Sequence, residues 1–295
     1  MTTTLVGIQP KHVKPATQEQ LAWEQFKRHK VALIAIVIFI VMAILCLLAP
    51  VIAPYEFDEI DLKNRKSAPS AEHWLGTDDL GRDLFTRILY GGRISITIGM
   101  FSAVVGTVLG TLIGSVAGFF GGRLDNVLMR FTDIAYSIPM LPLLIVLSSY
   151  TKSAVPSMVL IIGLLSWMST ARVVRASTLS IKEKEYVEAA VSIGARSARL
   201  IWKHILPNIV GPIIIGTTLG VGNAIITESS LSFLGLGVQP PTPTWGNMLQ
   251  QSQQTMITEP WLTIFPGMAI LITVLCVNFI GDGLQDALDP TLRRY

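Results

Sequence analysis

The residue types that most often carry chemistry are few in this sequence and are not arranged for catalysis. No Ser/His/Asp or Cys/His arrangement is evident, because all four histidines lie outside the long apolar stretches: His12, His29, His73 and His204. Cys46 and Cys276 each lie inside an apolar run, which is typical of small buried side chains. A Gly-x-x-x-x-Gly-Lys-Ser/Thr phosphate-binding loop is absent. We therefore expect no catalytic residue, no metal site and no cofactor in this chain.

Acidic residues at two places could bind a ligand. Asp78, Asp79 and Asp83 share a glycine-containing loop, which suggests a cation site, but the spacing of an EF-hand is absent and a turn-rich loop is the favoured interpretation. Glu228 lies near one end of an apolar run. If that run crosses a membrane, where a carboxylate is costly, we expect Glu228 either to belong to a transport pathway or to accept hydrogen bonds within the fold.

The segment 180–207 has residues suited to mechanical coupling. Ser180 and Glu183 have the spacing of a capping box that would start a helix, and Gly194 would end it. A second short helix is expected from Ser197 to His204. The sequence therefore predicts two short helices with a glycine bend between them.

Such a segment would project from the rest of the chain as a compact knob. Glu188, followed by the small Ala189 and Ala190, would let the knob fit a groove in a partner while offering one charge for pairing. A rigid knob held in a moving partner transmits force, as a transporter driven by a separate motor protein requires. The alternative is an ordinary basic loop.

The elements around these residues are apolar enough to be membrane spans. Of the 295 residues, 51% are hydrophobic and 15% are charged, against about 25% charged residues in soluble domains. Six stretches are long enough to cross a bilayer, and we expect an all-α integral membrane protein with six transmembrane helices at 31–53, 94–118, 134–150, 156–174, 208–231 and 261–281. Pro139 and Pro142 interrupt the third. The net charge of +3 gives no reason to expect a nucleic-acid partner.

The distribution of positive charge predicts the orientation. With the N-terminus inside, sixteen of the 23 Lys and Arg residues fall in inner segments and seven in outer ones, so both termini are expected in the cytoplasm. The predicted organisation is a cytoplasmic segment with an amphipathic helix, the first span, an extracytoplasmic loop, a five-helix core that contains the cytoplasmic segment 180–207, and a cytoplasmic tail. Their bounds are 1–30, 31–53, 54–93, 94–281 and 282–295. Thr17 and Gln20 have capping-box spacing at the start of the amphipathic helix.

The second predicted span carries a stripe of small residues. Gly106, Gly110, Gly114 and Gly118 recur every four residues and therefore lie along one side of the helix. Small residues at this spacing let another helix approach closely, which is how helices pack in lipid. We expect these glycines to serve helix packing.

The coupling segment also resembles a known motif. The run Glu188-Ala189-Ala190, then Gly194, then Leu206-Pro207, is similar to the EAA motif of permeases in binding-protein-dependent ABC importers. His204 stands where that pattern usually has an aliphatic residue, as in the peptide-permease branch. Further segments resemble the C-type subunit of the dipeptide, oligopeptide and nickel permeases, and they are 75–83, 90–95, 231–237, 240–246 and 281–290.

The resemblance covers nearly the whole chain from about residue 20 and implies the type I ABC importer, or MetI-like, permease fold. It implies that the segment from Glu188 to Pro207 docks on an ATPase subunit, and that ATP and Mg bind to that partner. The implied partners are a second homologous permease subunit in a heterodimer, two ATPase subunits and an extracytoplasmic solute-binding protein. The implied place is the cytoplasmic (inner) membrane of a prokaryote.

The cargo implied by the resemblance is a dipeptide or an oligopeptide, with nickel chelates or glutathione as alternatives. An ion-driven secondary transporter and a membrane scaffold protein are two other functions for such a chain. The secondary transporter predicts ionisable residues at mid-membrane depth and internal repeats. The sequence shows no clear repeat and few charges deep in the spans.

Overall fold

The structure, a computed structural model, describes residues 18–151 and 154–288. These residues form helices and connecting loops, and within them the only β-type pairing is an isolated bridge between Thr77 and Asp83. The helices are α1 Gln18–Arg28, α2 Lys30–Leu47, α3 Ala49–Ile52, α4 Leu84–Phe120, α5 Gly122–Ser137, α6 Met140–Tyr150, α7 Val155–Lys182, α8 Glu185–Ser192, α9 Ser197–Leu200, α10 Val210–Phe233, α11 Trp245–Ser252 and α12 Trp261–Leu288. Thr17 of the predicted capping box lies outside the described residues.

Five of these helices are long and apolar enough to cross a membrane, namely α2, α4, α7, α10 and α12. The helix α4 starts ten residues before the predicted span, because Asp83 caps it by accepting the N–H of Thr86 at 2.8 Å. The predicted outer loop 54–93 therefore includes the first turns of α4. The helix α12 continues to Leu288, so the predicted tail 282–295 begins within a helix. Polar residues occupy the first turns of α4 and the last turns of α12, so hydropathy alone does not predict where these helices begin and end.

The predicted third span is broken. The helices α5 and α6 meet at Ile138 and Pro139 and are bent by 84° relative to each other. The N-terminal half, α5, is amphipathic, and Asp125 and Thr132 are buried on it. Pro139 cannot continue a helix from the residues before it, and this explains the position of the break.

Contacts between helices show the direction of each crossing. The glycine stripe of α4 meets α7 in ascending order, from Gly106 beside Ser166 to Gly118 beside Thr178, so α4 and α7 run parallel. A chain that runs in the same direction in both helices must return between them. Only the bent pair α5–α6 lies there, so this pair returns the chain along the bundle and is the candidate for a sixth span.

The remaining helices alternate in direction around α4 and α12. Ser95 of α4 lies beside Glu228 and Thr107 lies beside Thr217, so α10 is antiparallel to α4. The helix α12 is antiparallel to both α10 and α2. The start of α2 therefore meets the end of α12, where His29 Nε2 lies 3.6 Å from Asp286 Oδ2. The two ends of the described chain thus lie at the same end of the bundle.

Candidate functional site

The segment between α7 and α10 lies at the end of the bundle that also holds both ends of the described chain. The helix α7 continues through Lys182, and α8 begins at Glu185 after the cap residue Lys184. The capping box predicted from Ser180 and Glu183 is therefore wrong, since Ser180 lies inside α7. The helix extends because Ile181 packs against the apolar cluster beneath the segment, and this packing overrides the local capping signal.

Gly194 ends α8 in the way the sequence predicts. Its φ angle is +82°, a conformation that favours glycine. Its N–H donates to Val191 O at 2.9 Å and the N–H of Ala195 donates to Ala190 O at 3.1 Å, which is the bond pattern of a Schellman motif. A Cβ added at Gly194 would meet nothing within 4 Å, so the glycine is required for its backbone conformation and not for space.

The predicted second short helix is present but is not uniform. After α9, residues Ile201–Ile205 form a π-turn and Leu206–Asn208 form a 3₁₀ turn. Pro207 has no N–H to donate to the preceding turn, and this loss favours the irregular backbone. Asn208 Nδ2 donates to His204 O at 2.6 Å. This bond satisfies one of the carbonyl groups that the irregular turns leave without a regular helical hydrogen bond.

The segment has two different faces. Its inner face is buried in one apolar cluster whose members come from α4, α7, the segment itself and the residue before α10, namely Phe119, Val174, Ala190, Leu200, Ile205 and Ile209. Glu188, Ala189, Gly194 and Pro207 are exposed, and Leu206 is half-buried. The outer face also exposes large apolar side chains, with Ile193 86% and Trp202 65% exposed. Sequence reasoning missed these two, although apolar residues next to a predicted bend in a polar segment are a usable signal.

A cavity of about 960 Å³ lies between the α5–α6 corner, α7 and α10. The corner contributes residues 136–140, and α7 and α10 contribute the facing walls. The coupling segment joins α7 directly to α10, so it connects the two helices that face each other across the cavity.

The described residues that line this cavity carry no formal charge. Their polar members are hydroxyl and amide side chains, namely Tyr136, Ser137, Ser166, Ser169, Thr170, Asn223 and Thr227. Sequence reasoning did not identify this wall. The polar residues of an apolar helix can either line a cavity or pack against another helix, and only the positions of the neighbouring helices distinguish the two.

Two ion pairs join α5 to α7 beside the cavity. Arg175 makes a bidentate pair with the buried Asp125, at 2.5 Å from Nε and 2.6 Å from Nη2. Arg172 Nη2 lies 2.8 Å from Asp133 Oδ1, and its guanidinium stacks 4.4 Å from the centre of the Tyr136 ring. These pairs hold the amphipathic α5 against α7.

The glycine stripe of α4 lies in the interface with α7. A Cβ at Gly110 would lie 2.6 Å from Thr170 Cβ and 2.7 Å from Trp167 O, and one at Gly118 would lie 2.8 Å from Arg175 O. A Cβ at Gly106 would lie closer still to Ser166 Oγ, and one at Gly114 closer still to Ala171 O. The backbones of α4 and α7 therefore approach to a distance that a side chain would prevent.

Glu228 lies at the opposite end of α10 from the coupling segment, about 27 Å from the start of that helix by its rise per residue. Its side chain is fully buried and does not line the cavity. Its partners among the described residues are hydroxyl groups. Oε2 accepts from Ser95 at 3.1 Å and Oε1 accepts from Ser232 at 2.7 Å.

The hydroxyl groups around Glu228 extend to α11. Ser95 Oγ also accepts the N–H of Trp245 at 3.3 Å, and Thr244 Oγ1 donates to Ser232 Oγ at 3.5 Å. The Trp245 indole N–H donates to Ile88 O at 3.0 Å. One buried carboxyl group thus links α4, α10 and the start of α11.

The buried carboxylates of the acidic loop before α4 pair with basic side chains of the same loop and of α4. Asp78 Oδ2 lies 2.7 Å from Arg82 Nε and 3.4 Å from Arg87 Nε. Asp83 accepts at the start of α4, and its Oδ1 lies 3.0 Å from His73 Nδ1. Within residues 18–151 and 154–288, no group of three His, Cys, Asp or Glu side chains is placed to hold a metal.

Comparison with known proteins gives two family matches. Residues 17–69 match the family described as the N-terminal TM domain of oligopeptide transport permease C. Residues 110–294, more than half of the chain, match the family described as the binding-protein-dependent transport system inner membrane component.

The chain is also similar to curated permeases over nearly all of its length. It is 39% identical to a dipeptide transport system permease protein of Alkalihalophilus pseudofirmus, over 92% of this chain and 90% of the relative. It is 40% identical to an oligopeptide transport system permease protein of Bacillus subtilis, over 92% and 88% of the two chains. It is 40% identical to a glutathione transport system permease protein of Pectobacterium atrosepticum, over 99% and 97%. The chain therefore belongs to the family of binding-protein-dependent transport system inner membrane components.

Proposed function

We propose that this chain is a transmembrane permease subunit of an ABC importer that carries dipeptides and oligopeptides across the cytoplasmic membrane. The observation that carries the proposal is the connection between the segment 180–207 and the cavity. Because the segment joins α7 to α10, any displacement of the segment moves both walls of the cavity. The curated relatives are dipeptide, oligopeptide and glutathione permeases, which supports a peptide as the cargo.

The proposed orientation places the segment 180–207 and both chain ends in the cytoplasm. The segment itself carries five of the 23 Lys and Arg residues, which favours the inner side of the membrane. An ATPase subunit would dock on the exposed face formed by Glu188, Ala189 and Ile193, while the buried face of Ala190 and Leu200 anchors the segment to the bundle.

The proposed importer contains several further subunits. Two ATPase subunits bind ATP and Mg, and an extracytoplasmic solute-binding protein delivers the peptide. This chain lines the cavity with α7, α10 and the α5–α6 corner, and a second homologous permease subunit supplies the remaining wall.

The proposed cycle is alternating access. The loaded binding protein docks on the outer loops, ATP binding brings the ATPase subunits together, and their movement passes through α8 to α7 and α10. The cavity then opens outward, receives the peptide, and releases it inside after hydrolysis. Nucleotide drives this cycle only if it binds the two states with different affinity.

The uncharged cavity wall argues against an ion-driven secondary transporter. Such transporters place ion-binding groups at mid-membrane depth. Glu228, the one carboxylate of α10, faces α4 and α11 and not the cavity. Glutathione is the second candidate cargo, because several curated relatives are glutathione transport system permease proteins.

The experiment is reconstitution of the complete complex in proteoliposomes. We expect uptake of a labelled dipeptide that requires both ATP and the binding protein, with glutathione competing weakly. Uptake driven by an ion gradient without ATP would overturn the proposal. Uptake of glutathione without uptake of the dipeptide would show that glutathione, and not a dipeptide, is the cargo.

A further inference from the structure

The two halves of the coupling segment differ in charge. Before the bend at Gly194, residues 182–188 contain three Glu and two Lys. After the bend, residues 195–207 contain two Arg, one Lys and one His, and the whole stretch 189–227 has no Asp or Glu. The half that precedes the bend is therefore weakly acidic, and the half that follows it is basic.

The basic side chains of the second half are exposed together with a tryptophan. Arg199, Trp202 and Lys203 follow one another at spacings of three and four residues, so they lie on one side of the turn. Arg196 precedes them, and all four residues are exposed. In the described part of the chain, none of the three basic residues takes part in an ion pair. We call Arg196, Arg199, Trp202 and Lys203 the basic face.

The basic face lies next to the end of a candidate membrane span. Lys203 precedes Val210, the first residue of α10, by seven positions, so the rise of helical turns separates them by at most about 14 Å. Val210 and Ile214 expose apolar side chains on this span. The headgroup layer beside the hydrocarbon core is about 5–8 Å thick, and long basic side chains extend toward it. Phospholipid headgroups are therefore within reach of the basic face.

We propose that the basic face binds the anionic headgroups of phospholipids in the cytoplasmic leaflet. The inference rests on the proposed function for its orientation, which places the segment in the cytoplasm. Basic side chains beside a span attract anionic lipids, and tryptophan favours the boundary between headgroups and acyl chains. The exposed apolar residues of α10 favour lipid over an acidic surface of the ATPase, because a soluble partner would have to enter the headgroup layer to reach the basic face.

The test measures whether Trp202 contacts anionic lipid in the complete complex. The complex is placed in nanodiscs that contain brominated phosphatidylglycerol, which is anionic, or brominated phosphatidylcholine, which is zwitterionic, at equal mole fraction. Bromine on the acyl chains quenches tryptophan fluorescence on contact, and the difference between the wild type and Trp202→Phe isolates the signal of Trp202. We expect phosphatidylglycerol to quench Trp202 at least about twofold more strongly, because the basic side chains concentrate anionic lipid there.

Substitutions of the basic face should remove this preference. Replacement of its three basic residues by Gln should make the two lipids quench Trp202 equally, while the ATPase still copurifies. Lys203→Gln alone should reduce the preference, and it replaces the triple variant if that variant fails to assemble. The matched control is Arg123→Gln with Arg130→Gln, which removes exposed charges from α5 and should leave the quenching of Trp202 unchanged.

Four results would overturn the inference. They are equal quenching of Trp202 by the two lipids in the wild type, an equal loss of preference in the α5 control, and loss of the ATPase from the triple variant, which would assign the basic face to the ATPase. The fourth is loss of the preference in sodium phosphate but not in sodium chloride of the same ionic strength, which would indicate a site for free phosphate. Absence of ATP-dependent uptake by the wild-type complex would overturn the proposed function instead, whatever the quenching shows.

Discussion

At the scale of single residues, Glu228 shows how a membrane carboxylate can serve the fold. It is fully buried, its partners among the described residues are hydroxyl groups, and Ser95 and Ser232 each lie within hydrogen-bonding distance. Removing the carboxyl group leaves the hydroxyl protons of Ser95 and Ser232 without their acceptor, whereas an amide of the same shape can still accept one of them.

We predict that Glu228→Gln keeps uptake within about threefold of the wild type, and that Glu228→Ala lowers stability by about 2–3 kcal/mol. The melting temperature of the purified complex should fall by about 4–10 °C in the alanine variant. Thermal unfolding and uptake are measured on the same preparations. A carboxylate that carries protons or binds cargo would instead fail as glutamine.

The position of Glu228 in an apolar run was visible in the sequence, but its role was not. The choice between a pathway and a hydrogen-bonding role depends on which side of α10 it faces. Its partner Ser95 is 133 positions away and the partner Ser232 is one helical turn away. Only the packing of α10 between α4 and α11 brings them together.

At the scale of elements, the close contact between α4 and α7 depends on the absence of side chains. We predict that Gly110→Ala destabilises the complex and lowers the amount assembled, because the new Cβ would lie 2.6 Å from Thr170 Cβ. Gly267→Ala in α12 is the control, since its nearest neighbour would be 4.0 Å away. Size-exclusion profiles and melting temperatures compare the two. Equal behaviour of the two variants would contradict a packing role for the stripe.

The coupling segment gives a second prediction at this scale. Glu188→Ala should lower ATP-driven uptake at least about tenfold without reducing the amount of this chain in the membrane, because an exposed side chain contributes little to the fold. Glu185→Ala removes the same charge from an exposed position on the same helix and is the matched control. Uptake and copurification of the ATPase are measured together. Equal ATP-driven uptake by complexes that contain Glu188→Ala and Glu185→Ala would contradict a docking role for Glu188.

Helix identity was easier to predict than helix ends. The five long helices follow from runs of apolar residues, and Gly194 at the bend follows from glycine's freedom to adopt positive φ. The capping box at Ser180 failed because a distant cluster around Phe119 and Val174 stabilises further turns of α7. Local spacing carries no information about such a cluster.

At the scale of the whole molecule, the parallel packing of α4 and α7 requires the pair α5–α6 to return the chain along the bundle, and both ends of the described chain lie at the same end of it. We predict that Ala71→Cys reacts with a membrane-impermeant maleimide in intact cells, and that Ser180→Cys reacts only after the membrane is opened. Both positions are exposed, whereas the native Cys46 and Cys276 are buried and should react slowly. Labelling of Ser180→Cys from outside would reverse the proposed orientation.

The bent pair α5–α6 has a consequence for how the protein is made. The eleven residues of α6 span about 16 Å as a helix, roughly half of a hydrocarbon core of about 30 Å. A segment of that length has too little apolar surface to enter lipid stably by itself. We therefore expect α6 to integrate only once α7, which packs against the glycines of α4, has also been synthesised. On this expectation the pair α5–α6 inserts together with α7, and chains truncated between Tyr150 and Val155 should fail to integrate α6.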